Sequence, residues 1–325
     1  MLKSQQQHNF TTREDSYLAN IALLYYQEGL NQSEIAKRLG LSRATIVNYL
    51  KEGKDRGIID IRVNGQKLRL PQKSRKLAEF YKLEDIYIAH TGRDADPDFA
   101  LRHTARVAAL ALLDIVAPGD VVGVAWGETI KLVSQHLPNR PIPQTEVCQV
   151  IGSMESSRLL SAEDCAIKIA NQMGAVCHTL HAPAVLSSSH LASALLNEPA
   201  IKKQVSRFNN LNVILTSVGD LAEDTHVVSS GIIEKAELEK IIAAGAVGFI
   251  CSYLIDHNGA SLATPRHDRM IAISFDQIMA TPKRIMVASG IKKFPAVKGA
   301  LLGGHITHAI LDEKLVSMLL DEIII

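Results

Sequence analysis

The chain has 325 residues, a length that suits two domains, and its 47% apolar content is enough for a packed core. Its 35 basic and 34 acidic side chains exclude a globally basic nucleic-acid coat but leave room for a local basic patch. No apolar run approaches the ~18 residues of a membrane span, residues 1–10 lack the apolar stretch of a secretory signal, and no cofactor fingerprint is present. Cys148, Cys165, Cys177 and Cys251 are scattered without a CxxC pair, and read as structural thiols of a reducing cytoplasm.

Charge is not evenly spread. Residues 1–70 carry eleven basic and seven acidic side chains, so the N-terminal part is the one suited to a polyanion. In chain order, residues 16–27 form a first helix with Leu18, Ile21, Ala22, Leu24 and Tyr25 inward, stopped by Gly29. A second helix starts at Asn31 or Gln32 and runs to Arg38, burying Ile35, Ala36 and Leu39. Gly40-Leu41 turns the chain, and Ser42 caps a third helix over 43–54 with Ile46, Val47 and Leu50 inward. Small Ala36 permits a close helix crossing, and Gly40 four residues later suits a left-handed turn. This is the helix-turn-helix pattern, whose third helix enters the major groove of double-stranded DNA.

The exposed candidates there are Ser42, Arg43, Ala44, Thr45 and Asn48. Arg43 suits guanine, Asn48 adenine and the Thr45 methyl a thymine, while Gln32 and Ser33 suit phosphate. Residues 57–63 alternate as a strand, and 66–70 would complete a winged hairpin. The alternative is a three-helix protein-interaction module. The polar stretch 65–73 with Pro71 suits a junction, dividing a DNA-binding domain (1–65) from a larger domain (66–325).

In the larger domain, apolar strands alternate with helices. Strands are expected at 86–89, 121–125, 146–151, 175–180, 213–217, 285–288 and 306–310. Helices are expected at 97–116, 128–136, 162–173, 235–243, 294–302 and 313–320. Strands this apolar imply an α/β, Rossmann-like domain with a mostly parallel sheet covered on both faces, binding ligand at the strand C-termini. Small or polar residues stand at four strand ends: Ala125 to Thr129, Ile151 to Met154, Ser217 to Asp220, and Ala288 to Lys293. With the lysine they describe an anion-accepting crevice. Neither a GxGxxG nor a GxxxxGK[ST] motif occurs. His178 and His181, on one predicted strand, would point to opposite faces, so no metal site is expected. His305 and His308 fail on the same grounds.

Several runs together resemble the SorC family of bacterial sugar-responsive regulators. They are Tyr25 to Ala36 (Tyr-Tyr-Gln-Glu-Gly-Leu-Asn-Gln-Ser-Glu-Ile-Ala), Leu41-Ser42-Arg43, Gly57-Ile58-Ile59 and Gly123 to Thr129. Leu180 to Ala184, Ser230 to Ile233, Val287 to Gly290 with Lys293, and Ile310 to Glu313 complete the set. The resemblance spans nearly the whole chain. It implies a helix-turn-helix followed by a sugar-binding domain related to sugar-phosphate isomerases, a homotetramer, and an effector that is a sugar or polyol, usually phosphorylated; the few base pairs within reach of one recognition helix separately call for at least a homodimer on an inverted-repeat operator. It implies an effector pocket of Gly127, Glu128, Thr129, Gly152, Asp256, Arg269 and Lys293. The chain departs from the pattern in places. Ser289 replaces a usual glycine, Ser217-Val218-Gly219 stands where Gly-Ile-Gly is common, and residues 149–157 hold no lysine for a Schiff base. The rival reading is a sugar-phosphate isomerase or deaminase with a DNA-binding appendage. Asp220, Asp256 and Glu128 are available as general bases, but no pair is spaced for catalysis.

Overall fold

A computed structural model describes residues 14–59, 61, 71–92, 94–154, 161–222, 228, 233–262, 264 and 267–324. The chain divides into two compact units, residues 1–63 and 64–325.

The first unit is three helices: α1 (Asp15–Tyr26), α2 (Gln32–Leu39) and α3 (Arg43–Asp55). Its core joins Leu18, Ile21, Ile35, Ala36, Ile46, Tyr49 and Leu50. Two expected core positions are exposed instead: Leu39 and Val47. On α3 the buried set is Ile46, Tyr49, Leu50 and Gly53, which is the i, i+3, i+4, i+7 stripe of a single face. Val47 falls off that stripe by a helical step, and Tyr49 takes its place, set edge-on to Tyr17. Leu39 ends α2 next to Gly40, whose left-handed φ of 66° turns the chain away from the core. Residues 60 and 62–70 lie outside the described residues, and with them all of the second expected wing strand and part of the first; residues 57–59, expected to open the first, form a turn and a bend instead.

The second unit opens with α4 (Pro71–Tyr81), where the sequence suggested a linker; Pro71 stands at the helix start, which its fixed φ favours. Then follow β1 (Asp85–Ala89), α5 (Pro97–Ile115), β2 (Val121–Val124), α6 (Glu128–His136), β3 (Glu146–Gln149), α7 (Ala162–Met173) and β4 (Val176–His178). Next come α8 (Ser189–Asn197), α9 (Pro199–Ser206), β5 (Val213–Gly219), α10 (Lys235–Ala243), β6 (Ala246–Ile250), β7 (Tyr253–Asp256) and β8 (Ser261–Leu262). The chain continues through α11 (Phe275–Ala280), β9 (Lys283–Ala288), α12 (Phe294–Leu302), β10 (His308–Asp312) and α13 (Glu313–Ile324). The sequence reading missed α4, α8, α9, α11 and β6 to β8; α11 and the three strands are short, and α4 begins inside the polar stretch 65–73 that reads as a junction. It also set the last strand two residues early, because Ile306 is buried in the loop before β10.

Seven strands form the main sheet in the order β1-β10-β9-β5-β2-β3-β4, every neighbouring pair parallel. Alternate side chains fill the two faces. Val122, Val124, Val213, Leu215, Ile285, Val287 and Ile310 pack with residues of α5, α6 and α7. Ile86, Ile88, Met286, Ala288, Ala309 and Leu311 pack with residues of α4, α12 and α13. Burial on both faces is why these strands read as unbroken apolar runs. The chain leaves β2 toward β3 on one side and β5 toward β9 on the other, so the topological switch lies between β2 and β5. That is where such sheets bind ligands, beyond the strand C-termini. From β5 the small antiparallel ladder β6-β7-β8 branches off.

Candidate functional site

In the first unit, the start of α2 is fixed by a capping box. The Asn31 side chain accepts from the Ser33 and Glu34 N–H groups, and Glu34 accepts from the Asn31 N–H. Those backbone donors are therefore engaged, and Gln32 and Ser33 can meet a phosphate through their side chains. The start of α3 is fixed by Ser42, whose Oγ accepts from the Thr45 N–H at 3.0 Å. The Ser42 and Thr45 hydroxyls lie 2.7 Å apart, which leaves the Thr45 methyl as the group with reading potential. Arg43 Nε donates to Gln32 Oε1 at 3.3 Å, tying together the N-terminal ends of α2 and α3. Ser42, Arg43, Ala44 and Asn48 are exposed and Thr45 is half-buried. Exposed Val47 joins this face, an apolar contact that reading it as core had hidden.

In the second unit, a cavity of about 780 Å³ lies beyond the C-terminal ends of β2, β3, β5 and β9. Gly127, Glu128, Thr129 and Lys293 line it together. Gly127 has φ 134°, a conformation that L side chains rarely adopt, and it aims the α6 start at the cavity. Thr129 is 2% exposed, and its Oγ1 accepts from Lys293 Nζ at 3.3 Å. Lys293 closes a single 3-10 turn, Ile291–Lys293, before α12, and Gly290 opens that turn with φ 99°. Burial pushes the Lys293 ammonium below the usual lysine range, against the opposing pull of Asp220, Glu128 and Asp312.

Asp312, 1% exposed at the end of β10, holds this loop. Its Oδ2 accepts from the Ser289 hydroxyl at 2.8 Å and the Gly290 N–H at 2.6 Å, while Oδ1 accepts from the Leu315 N–H of α13 at 2.8 Å. Asp312 also explains why serine is accepted at 289, since the carboxylate satisfies its buried hydroxyl. Sequence reading placed Asp312 in a family run without a role, and nothing local marks it. Ser217 to Asp220 and Lys292 also line the cavity, as do Trp126, Met154, Ile241, Phe249, Leu254 and Met270. Of these, Phe249, Leu254 and Met270 come from segments that periodicity did not reveal.

The structure does not put Gly152, Asp256 or Arg269 on the cavity wall. Gly152 permits a close crossing: a Cβ there would lie 2.6 Å from the Ala182 carbonyl oxygen. Asp256 Oδ1 accepts from the Asn258 and Ala260 N–H groups, closing the turn into β8. Arg269 stands beside Met270, which does line the cavity. Cys251 and Ser252, with φ 45° and 76°, form the two-residue turn between β6 and β7 at the cavity. Burial pushes the Cys251 thiol up to about 11. Of the histidines set aside earlier, His178 lies 2.8 Å from Glu146 Oε2, and His181 lies beyond the end of β4. Among the described residues, no group of three or more His, Cys, Asp or Glu side chains is placed to hold a metal. No described helix is long and apolar enough to cross a membrane.

A three-helix unit built around a capped recognition helix, next in sequence to a parallel sheet with a crevice at its switch point, defines a ligand-responsive transcriptional regulator. Residues 69–321 match the family described as "Putative sugar-binding domain". The uncharacterized transcriptional regulator YjhU of Escherichia coli is 29% identical over 97% of this chain and 98% of its own. The deoxyribonucleoside regulator of Bacillus subtilis is 28% identical over 93% and 96%. The crystal structure of the full-length sorbitol operon regulator SorC from Klebsiella pneumoniae superposes with a TM-score of 0.75 at 24% identity, over 95% of this chain and all of that one. The chain belongs to the SorC family of sugar-responsive transcriptional regulators.

Proposed function

We propose that residues 1–65 bind an inverted-repeat operator as part of a homodimer or homotetramer, and that residues 66–325 bind a phosphorylated sugar or polyol that controls this binding. The observation that carries the effector reading is the Lys293–Thr129 contact. It joins two strand-end loops, 164 residues apart in sequence, at the mouth of α6. A phosphate there meets an ammonium, a hydroxyl and the backbone donors of a helix start. Glu128 and Asp220 suit the hydroxyls of a sugar, as hydrogen-bond acceptors. The pocket is proposed to bind rather than turn over its ligand. Its described carboxylates surround the Lys293 ammonium instead of forming an acid–base pair across a reacting carbon, and the relatives named above are regulators.

Calorimetry with phosphorylated and free sugars on wild type and Lys293→Ala tests this. The substitution is expected to weaken binding of the phosphorylated compound at least about tenfold, or roughly 1.4 kcal/mol. Because burial has lowered the Lys293 pKa, affinity for the phosphate is also expected to fall as pH rises through that lowered value. Equal affinities in both proteins, or equal affinity for a sugar with and without phosphate, would remove the phosphate reading.

A further inference from the structure

The cavity is larger and more apolar than a sugar phosphate requires. Most of its polar groups stand at three strand-end loops, Thr129 and Lys293 among them, while Asp98, Glu237, Ser252 and Thr264 are spread over the rest of the lining. Above them rise two walls from separate hydrophobic clusters. Trp126, Met154 and Met270 belong to a cluster with Ile151, Ala162 and Ala184. Ile241, Phe249 and Leu254 belong to another, built by α10, β6 and β7. Both clusters are distinct from those that cement the main sheet. Side chains of both line the same cavity of about 780 Å³, in the upper part of the roughly 300–1,000 Å³ range of pockets that enclose ligands of drug size. Apolar side chains outnumber polar ones on both walls. The Phe249 ring covers Gly219 so closely that a Cβ there would overlap it, so this wall begins directly at the polar end.

A bare sugar phosphate is polar on nearly every side. Seated at Lys293, it would find acceptors for its hydroxyls near the loops, but most of the wall beyond them offers thioether, aliphatic and aromatic surface that returns no hydrogen bonds. A ligand matched to this cavity is polar at one end and apolar at the other. We propose that the effector is a phosphorylated glycoside bearing an apolar aglycone, seated between the Met154–Met270 wall and the Phe249–Ile241 wall. The proposal rests on the effector-pocket reading above and adds the chemical class of its ligand.

The test is calorimetry on the full chain with three probes: phosphorylated glucose, its methyl glycoside and its phenyl glycoside, with the galactose series run alongside. The phenyl compound of the better-bound series is expected to bind at least about tenfold more tightly than the methyl one, the increment of burying an aromatic ring. Its binding should show the more negative heat-capacity change. The phenyl-to-methyl ratio, whatever the methyl affinity, should collapse to about threefold or less in Phe249→Ala and in Met154→Gln. Met154→Gln keeps the test decisive if the Phe249 variant does not fold. A phenyl-to-methyl ratio near one, or a ratio that Met154→Gln leaves unchanged, overturns the proposal. If phosphorylated glucose or galactose binds in a Lys293-dependent manner and the aglycone adds nothing, only this inference falls. If no phosphorylated probe of either series binds, this inference and the phosphate reading fall together.

Discussion

Removing the Asp312 carboxylate isolates one buried side chain that joins the effector loop to the C-terminal helix. It accepts three hydrogen bonds of 2.6–2.8 Å, from Ser289, Gly290 and Leu315. Hydrogen bonds to a charged acceptor contribute about 1.5–3 kcal/mol each, but such terms do not add. In Asp312→Ala the Ser289 hydroxyl can rotate to a new partner. The Gly290 and Leu315 N–H groups are held by the backbone and lose their acceptor in a site 1% exposed. The expected loss is therefore about 3–5 kcal/mol, a large part of the roughly 5–15 kcal/mol that stabilises a typical domain. Asp312→Asn keeps one acceptor oxygen and should lose about half as much, because its amide NH2 faces a donor wherever it points. Urea unfolding followed by Trp126, the only tryptophan and a residue of the second unit, measures both variants. Effector affinity should fall with stability, since the loop that presents Lys293 loses its anchor. A loss under about 1 kcal/mol for Asp312→Ala, at unchanged dependence on urea, would refute the anchoring role.

Arg43→Ala is expected to weaken operator binding by about 1–3 kcal/mol and to relax preference at one base pair per half-site; gel-shift titration on single-base operator variants checks this, and unchanged base preference would exclude Arg43 as a reader. One recognition helix contacts only a few base pairs, so sedimentation should find a dimer or tetramer; a strict monomer, free and on DNA, would contradict the inverted-repeat reading. His103, His136, His267 and His305 are all held below the ordinary histidine value of 6.5, chiefly by burial. The unfolded chain then binds more protons than the folded one between the lowered values and 6.5, so stability should drop as pH falls through that window. Urea midpoints across that window should fall with pH, and less steeply in His305→Gln; a midpoint that rises on acidification would reverse the sign of the argument.

Local chemistry in the sequence determined the helix-turn-helix. Asn31, Gly40 and Ser42 mark helix ends through hydrogen bonds that span only two to five residues, so the termini of α2 and α3 were readable without tertiary context. The parallel sheet was readable for a related reason: strands buried on both faces need uniformly apolar runs, and the helices between them show their own period. Glycines at strand ends pointed to the crevice, and Gly127, Thr129 and Lys293 do meet there. Tertiary structure alone decided which residues share the cavity. Asp256 and Arg269 sit on segments whose own turns place them elsewhere, whereas Met154, Phe249 and Ile241 converge from elements far apart in the chain. Nothing in a local pattern distinguishes an apolar side chain that fills a core from one that walls a pocket. Burial of Asp312 is likewise a property of the loop after β9 meeting the end of β10, with Ser289 and Gly290 23 and 22 residues away, and only the folded chain brings those donors to the carboxylate.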